Sequence, residues 1–235
     1  MIKFENFTKK YGTFTALDNI CLELKTSGVI SVLGANGAGK STLLKAVCAR
    51  HFSSSGCVYV QNLETEENYE KIKEITGFVE EIPNLPGEFY VDEYISFLDG
   101  IYGKKKKNEV LEQCSLLDVA KMKISSLSKG YAQRVNLAKA LIHEPEILVL
   151  DEAFSGLDLE QSKKFRNLIK EYGKSHCVIF STHIFREADE LSDWVVFMDR
   201  GKIIKSCSKL HFLETGSCLN LEQACFNLLS SINGK

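Results

Sequence analysis

No run of apolar residues in this chain approaches the ~20 needed to cross a bilayer. The longest, such as Ile147–Leu150 and Trp194–Met198, are far shorter. The start, Met1-Ile2-Lys3-Phe4-Glu5, lacks the long apolar core of a signal peptide. The expectation is a cytosolic protein that reaches any membrane role through a partner chain. Cys-x-x-Cys spacing is also missing, although 8 cysteines scatter from Cys21 to Cys225. In a cytosolic chain, thiols used as small buried apolar side chains suit that scatter better than disulfides or zinc. Nor is positive charge in excess. The 29 Lys and Arg against 31 Asp and Glu leave a formal charge of −2, which argues against a non-specific nucleic-acid binder. Internal repeats and low-complexity tracts are absent. What remains is ordinary globular composition over 235 residues, enough for one α/β domain or a core with a helical insertion.

Against that background one segment stands out. Gly34-Ala35-Asn36-Gly37-Ala38-Gly39-Lys40-Ser41-Thr42 fits G-x-x-x-x-G-K-[ST], a complete phosphate-binding loop. Val29-Ile30-Ser31-Val32-Leu33 before it reads as a short buried strand, and Ser41 to Arg50 after it, free of Gly and Pro, reads as a helix. A strand turning sharply into a helix aims backbone N–H groups and the positive helix end at one point. Glycines let the chain wrap a triphosphate closely. Lys40 can reach the β- and γ-phosphates, and the Ser41 hydroxyl can ligate Mg²⁺.

A second site element follows from Ile147-Leu148-Val149-Leu150-Asp151-Glu152, an aliphatic run ending in two carboxylates. Continuous aliphatics mark a strand buried on both faces. In open parallel sheets the ligand lies beyond the carboxyl ends of the strands. Asp151 there can hold the Mg²⁺ shell, and Glu152 one step on can polarise the attacking water. The strand Cys177-Val178-Ile179-Phe180 ends in Ser181-Thr182-His183. Alone, His183 reads as a structural histidine; beside a phosphate loop and paired carboxylates it reads as a donor to the γ-phosphate.

Strands are expected over Ile2–Phe7, Cys21–Leu24, Cys57–Val60 and Gly77–Glu80. Helical periodicity then takes over, with Val91, Tyr94, Ile95, Leu98, Ile101 and Tyr102 on one apolar stripe and a second helix over Val110–Val119. Lys104-Lys105-Lys106-Lys107 between them reads as a solvated loop, with contact to acidic lipid or a partner as the functional alternative. Strands and helices alternate again from Ser128 to about Ser206, which gives a parallel sheet with helical crossovers. Ser128 is placed to cap a helix over Tyr131–His143 whose Val135, Ala138, Leu141 and Ile142 form an apolar face. Near the end, Leu219, Leu221, Ala224, Cys225 and Leu228 predict a packed helix.

The order of these motifs over about residues 1–215 resembles the ATP-binding subunit of ABC (ATP-binding cassette) transporters. The distinguishing element is Leu127-Ser128-Lys129-Gly130-Tyr131-Ala132-Gln133-Arg134, similar to the family signature Leu-Ser-Gly-Gly-Gln plus a basic residue. Lys129 replaces its first glycine and Tyr131 its glutamine, a variant similar to that of stand-alone export-type subunits. The resemblance implies an α/β P-loop NTPase of ABC type, with a mixed-sheet core, N-terminal antiparallel strands and an inserted helical subdomain. Its parts would be an ATP-binding core at about 1–82 and 141–215, helices at about 83–140 and a C-terminal tail at 216–235. It further implies that Tyr11 stacks on adenine, with a merely packed tyrosine as the alternative. Glu81 takes the position that usually holds the Q-loop glutamine and could bind Mg²⁺ or its water; Glu80 leaves that register open by one. Ser155-Gly156-Leu157-Asp158 matches the D-loop, with Asp158 facing the opposite subunit. Ser128 and Gly130 would close over the nucleotide of a second subunit, head to tail, in a homodimer or heterodimer. The expected partner is a separate integral membrane permease at the inner face of the cell membrane, with export as the direction and no nucleic acid involved. The rival reading is a soluble regulator or clamp. No long coiled coil interrupts the motifs as in DNA-repair cassettes, and one cassette is present where translation-type members carry two.

Overall fold

A computed structural model describes residues 1–154, 157, 159–214 and 218–233. Two long strands, β1 (Ile2–Tyr11) and β2 (Phe14–Leu24), are joined at a tight turn in which Gly12 takes φ +58°. Next come β3 (Gly28–Leu33), α1 (Lys40–Val47), β4 (Ser55–Val60), β5 (Leu63–Glu64), α2 (Tyr69–Ile75) and β6 (Thr76–Val79). A helical stretch follows: α3 (Val91–Tyr102), α4 (Lys107–Gln113), two short 3₁₀ turns and α5 (Lys129–Leu141). Alternation resumes with β7 (Ile147–Asp151), α6 (Leu159–Gly173), β8 (Cys177–Thr182), α7 (Phe185–Leu191), β9 (Trp194–Asp199) and β10 (Lys202–Ser208). The helices α8 (Lys209–Glu214) and α9 (Leu221–Asn233) complete the described chain.

These strands form two sheets. One is antiparallel, in the order β2-β1-β4-β5; the other has the order β10-β9-β3-β8-β7-β6, parallel except for β10. The mixed α/β architecture with N-terminal antiparallel strands is thus present. The strand at Cys57–Val60 belongs to the antiparallel sheet, so α1 connects two sheets rather than two neighbours of one.

The central strands show why continuous aliphatic runs suit a sheet covered on both faces. Side chains alternate across the pleat. Leu148, Leu150, Val178 and Phe180 join one buried cluster with α3 to α7, while Ile147, Val149, Cys177 and Ile179 join another with α1 and the antiparallel sheet. All four residues of Ile147–Leu150 are fully buried. Register then levels the strand ends, because Leu33 pairs with Thr182 and Asp151 with Ser181. Three strands therefore deliver their next residues to one edge.

Some local expectations need correction. In α3 only Val91, Tyr94 and Ile95 are buried and Leu98 is half-buried, whereas Ile101 and Tyr102 are exposed. The stripe drifts off the core, and Tyr102 stacks on His143 instead, ring centroids 4.9 Å apart. The helix expected over Val110–Val119 stops at Gln113, because Ser115 takes φ +52° and its carbonyl accepts the Arg134 guanidinium at 2.7 Å. A 3₁₀ turn over Leu117–Val119 follows. Leu219 precedes α9 and is exposed, while Leu221, Ala224 and Cys225 are buried. In the lysine run, Lys106 pairs with Glu109 and Glu144, and Lys107 with Asp92. Among the described residues no helix is long and apolar enough to cross a membrane.

Candidate functional site

β3 runs directly into the glycine-rich loop and α1 starts at Lys40, so loop and helix end meet as the sequence suggests. Gly39 is the N-cap, at φ +100°. A Cβ there would lie 2.7 Å from the Ala16 carbonyl oxygen, so no other residue fits. Gly37, at φ +82°, has open space around it and is needed for its backbone conformation alone. The Ala38 methyl is buried, so that residue offers only backbone to a ligand. α1 ends at Val47, short of the expected Arg50, and Ala49 turns into the left-handed region.

Lys40 is 5% exposed. Its ammonium donates to the carbonyls of Gly34 at 2.9 Å and Ala35 at 3.2 Å, and lies 3.1 Å from Glu152 Oε1. The other Glu152 oxygen sits 2.8 Å from His183 Nδ1. One carboxylate is thereby clamped between two groups suited to phosphate. Glu152 also holds φ +47°, which a side chain with a Cβ adopts only at a cost. Behind it, Asp151 is almost fully buried, and its Oδ1 accepts from Ser41 Oγ at 2.8 Å and Ser181 Oγ at 2.7 Å. The same Ser181 hydroxyl accepts the Glu152 backbone N–H at 3.0 Å. Ser181 belongs to no motif; what marks it is its pairing opposite Asp151, which depends on register.

Lys40, Ser41, Glu152 and His183 border an open cleft of about 440 Å³. Asn36, Gly37, Gly39, Lys40, Ser41 and Thr42 line it together with Glu81, Glu152 and His183, and the β1–β2 hairpin contributes Tyr11, Phe14 and Ala16. Phe14 and Ala16 are lining residues that motif reading missed. Glu81 borders the cleft, while Glu80 pairs with Arg50 at 2.9 Å and Lys139 at 3.8 Å. Tyr11 borders the cleft with its ring 44% exposed. Ser128 caps α5 by accepting from the Tyr131 N–H, at 3.4 Å. Neither Ser128 nor the buried Gly130 borders the cleft of its own chain. Ser155, Gly156 and Asp158 lie outside the described residues.

The donors present fit a magnesium-sized cation. Ser41 and Asp151 bring a hydroxyl and a carboxylate oxygen to within 2.8 Å of each other, and hard divalent cations take oxygen ligands. Among the described residues no cluster of three His, Cys, Asp or Glu is placed to hold a metal unaided. Magnesium is usually held by one or two protein oxygens together with substrate phosphates.

The family model described as ABC transporter matches residues 17–155. A probable sulfate/thiosulfate import ATP-binding protein of Chlorella vulgaris is 35% identical over 212 residues, covering 87% of this chain and 89% of that protein. The bacitracin transport ATP-binding protein of Bacillus licheniformis is 31% identical over 210 residues, covering 87% of this chain and 69% of that protein. Among solved structures, a dimeric ATP-binding cassette in a post-hydrolysis state, bound to ADP and Pi, superposes with a TM-score of 0.79 at 28% identity. The match covers 88% of this chain and 98% of that one.

Proposed function

The chain belongs to the ABC transporter family, and we propose that it is an export-type ATP-binding subunit whose cleft is completed by a second subunit, head to tail. It is an ATPase of that family. Subunits of this kind dimerise and work with membrane permeases; a separate permease chain at the inner membrane face is our reading for this one. The Ser128-Lys129-Gly130-Tyr131 variant is what favours export.

The observation that carries the dimer is a division of equipment. Lys40, Ser41, Glu152 and His183 border one cleft, with Asp151 behind them bonded to Ser41, while the capped N-terminus of α5, a second anion-suited feature, lies elsewhere on the chain. In our reading Ser128, Gly130 and Asp158 serve the cleft of the opposite subunit. Backbone N–H groups of the loop and the Lys40 ammonium bind the phosphates, Tyr11 stacks on the base, and His183 contacts the γ-phosphate. Glu152, released from Lys40 when phosphate takes its place, orients the attacking water and accepts its proton. Ser41 and Asp151, with Glu81 nearby, would hold Mg²⁺, which when bound supplies positive charge opposite the phosphate oxygens. Loss of the γ-phosphate removes the contact that favours the closed pair, and the helices of residues 83–126, within an inserted 83–140 unit, carry the motion to the permease.

Replacing Glu152 by Gln tests the scheme. Turnover should fall by ~100-fold or more, ATP binding should persist, and dimers should accumulate on size exclusion with ATP. Monomers with normal ATPase activity would overturn the dimer. Co-purification with an integral membrane chain is the expected partner result; purification alone, or with ribosomes, would favour the soluble regulator or clamp.

A further inference from the structure

His183 stands where β8 gives way to α7, between Thr182, the last residue of the strand, and Ile184, the N-cap of the helix. Its side chain is half exposed and bonds Glu152 at 2.8 Å. A half-exposed ring takes much of its aim from the backbone that carries it, so whatever fixes the turn 182–184 fixes the ring. Thr182 is 1% exposed, and on β8 it pairs with Leu33, the last residue before the phosphate loop. Its hydroxyl accepts the Ile184 N–H at 3.0 Å, which closes the backbone around His183. The same hydroxyl donates to Glu187 Oε2 at 2.5 Å. A hydroxyl has one proton and can rotate to place it. The bond to Glu187 stops that rotation and leaves the lone pairs of Thr182 for Ile184.

Glu187 keeps this place against a cost. Burial pushes its carboxyl above the usual range, and the bond from Thr182 opposes that. An apolar residue here would avoid the desolvation, but it would leave the buried Thr182 hydroxyl without its acceptor. The helix that carries Glu187 is itself anchored. Ala188 and Leu191 are buried, and Glu190 pairs with Arg166 of α6 at 3.1 Å. The Asp189 carboxylate accepts the Leu221 N–H at the start of α9, at 3.1 Å. Glu187 therefore ties the turn at His183 to a helix that two other helices hold in place.

We propose that Glu187 is a positioning residue for hydrolysis: through the Thr182 hydroxyl it sets the turn that aims His183 at the γ-phosphate. This rests on the reading of His183 as a γ-phosphate contact. The test is steady-state phosphate release by the full chain, with rates referred to the fraction of chains that binds ATP in calorimetry. Glu187→Ala should lower kcat by about tenfold, the scale of a small misplacement at a reacting centre. Its KM for ATP should stay within about twofold of wild type, because the phosphate loop and Lys40 still bind the ground state. Glu187→Gln keeps an acceptor oxygen for Thr182 and loses the charge, so it should retain most of the wild-type rate. Thr182→Val should reproduce the loss seen in Glu187→Ala, and the double variant should lose no more than either alone, as partners in one bond do. An undiminished kcat per ATP-binding chain in Glu187→Ala would overturn the proposal and leave Glu187 a purely structural residue. So would a Glu187→Gln loss as large as that of Glu187→Ala, or losses that multiply in the double variant. His183→Ala isolates the underlying reading: it should lower kcat at least as far as Glu187→Ala does. An unchanged kcat there would remove the γ-phosphate contact itself, and the positioning role with it.

Discussion

The phosphate loop and helix α5 are fixed in place by different chemistry. Around the loop, charges meet partners within the chain: Lys40 takes two loop carbonyls and Glu152, and Asp151 takes the Ser41 and Ser181 hydroxyls. β3 beneath it is paired on both sides. α5 is tethered mainly through side chains to backbone carbonyls. Gln133 and Asn136 both donate to the Glu80 carbonyl, at 3.1 and 3.0 Å, Arg134 donates to Ser115, and His143 just past the helix bonds Thr76 at 3.2 Å. Among the described residues, four of the five buried side-chain polar atoms without a hydrogen-bond partner belong to α5 or the turn after it: Gln133 Oε1, Arg134 Nε, Asn136 Oδ1 and His143 Nδ1. The difference teaches where rigidity is placed. The loop is preorganised for phosphate, as electrostatic stabilisation requires, whereas α5 is tied by a few bonds to the carbonyl next to Glu81, at the border of the cleft.

The largest expected effect comes from breaking the charged side of this contrast. Lys40→Ala removes the cation from the cradle and leaves the Glu152 carboxylate, 12% exposed, with the His183 ring as its remaining side-chain partner at 2.8 Å. Phosphate-release assays should show hydrolysis down by about 10²–10³-fold, the loss typical of one preorganised charge-stabilising group, with ATP affinity weakened in calorimetry. Undiminished affinity and hydrolysis would count against the cradle.

The next effect sharpens the contrast by separating the two regions onto different copies. Ser128→Ala deletes the cap of α5, which costs about 1 kcal/mol of stability, and should leave ATP binding by the isolated chain intact. Turnover should still fall by at least ~10-fold if that serine contacts the nucleotide of the other copy. Mixing Ser128→Ala chains with Lys40→Ala chains then distinguishes the arrangements. In a head-to-tail pair, one mixed pocket combines an intact loop with an intact α5 end, and activity partly recovers. If each chain completed its own site, both pockets would stay defective and the mixture would remain inactive.

What could be read in advance was local. The glycine-rich loop, the aliphatic run into Asp151-Glu152 and the Ser128 cap each rest on neighbours within a turn or a strand, so they appear in the fold with boundaries shifted by a few residues. What could not be read depended on register and packing. Ser181 matters because it lies opposite Asp151, Phe14 because it lies opposite Tyr11. Ile101 looked like core because helical periodicity continues to the end of α3, although the partner surface does not. Ser115 ended α4 early through a long-range bond to Arg134, which composition does not announce.

The smallest effect concerns the tether behind α5. Burial lowers the His143 pKa below its usual 6.5, and nearby Lys104 lowers it further, against the opposing hydrogen bond to the Thr76 carbonyl. Tyr102 stacks on the ring, and Arg50, Lys73 and Lys139 border the same hollow. The neutral ring suits the geometry, since Nε2–H can donate to Thr76 while Nδ1 stays unprotonated. Between pH 6.5 and the lower folded pKa, the unfolded chain binds the proton that the folded chain resists. Stability is therefore full above pH 6.5 and declines as pH falls, by at most about 1.4 kcal/mol per pH unit from this one group. His143→Gln keeps a donor for Thr76 but cannot titrate. Melting curves of wild type and variant at pH 7.0 and 5.5 should show the smaller acid-induced drop in the variant. The same drop in both would mean that His143 is no neutral anchor, and that the helix is held against acid by its other bonds alone.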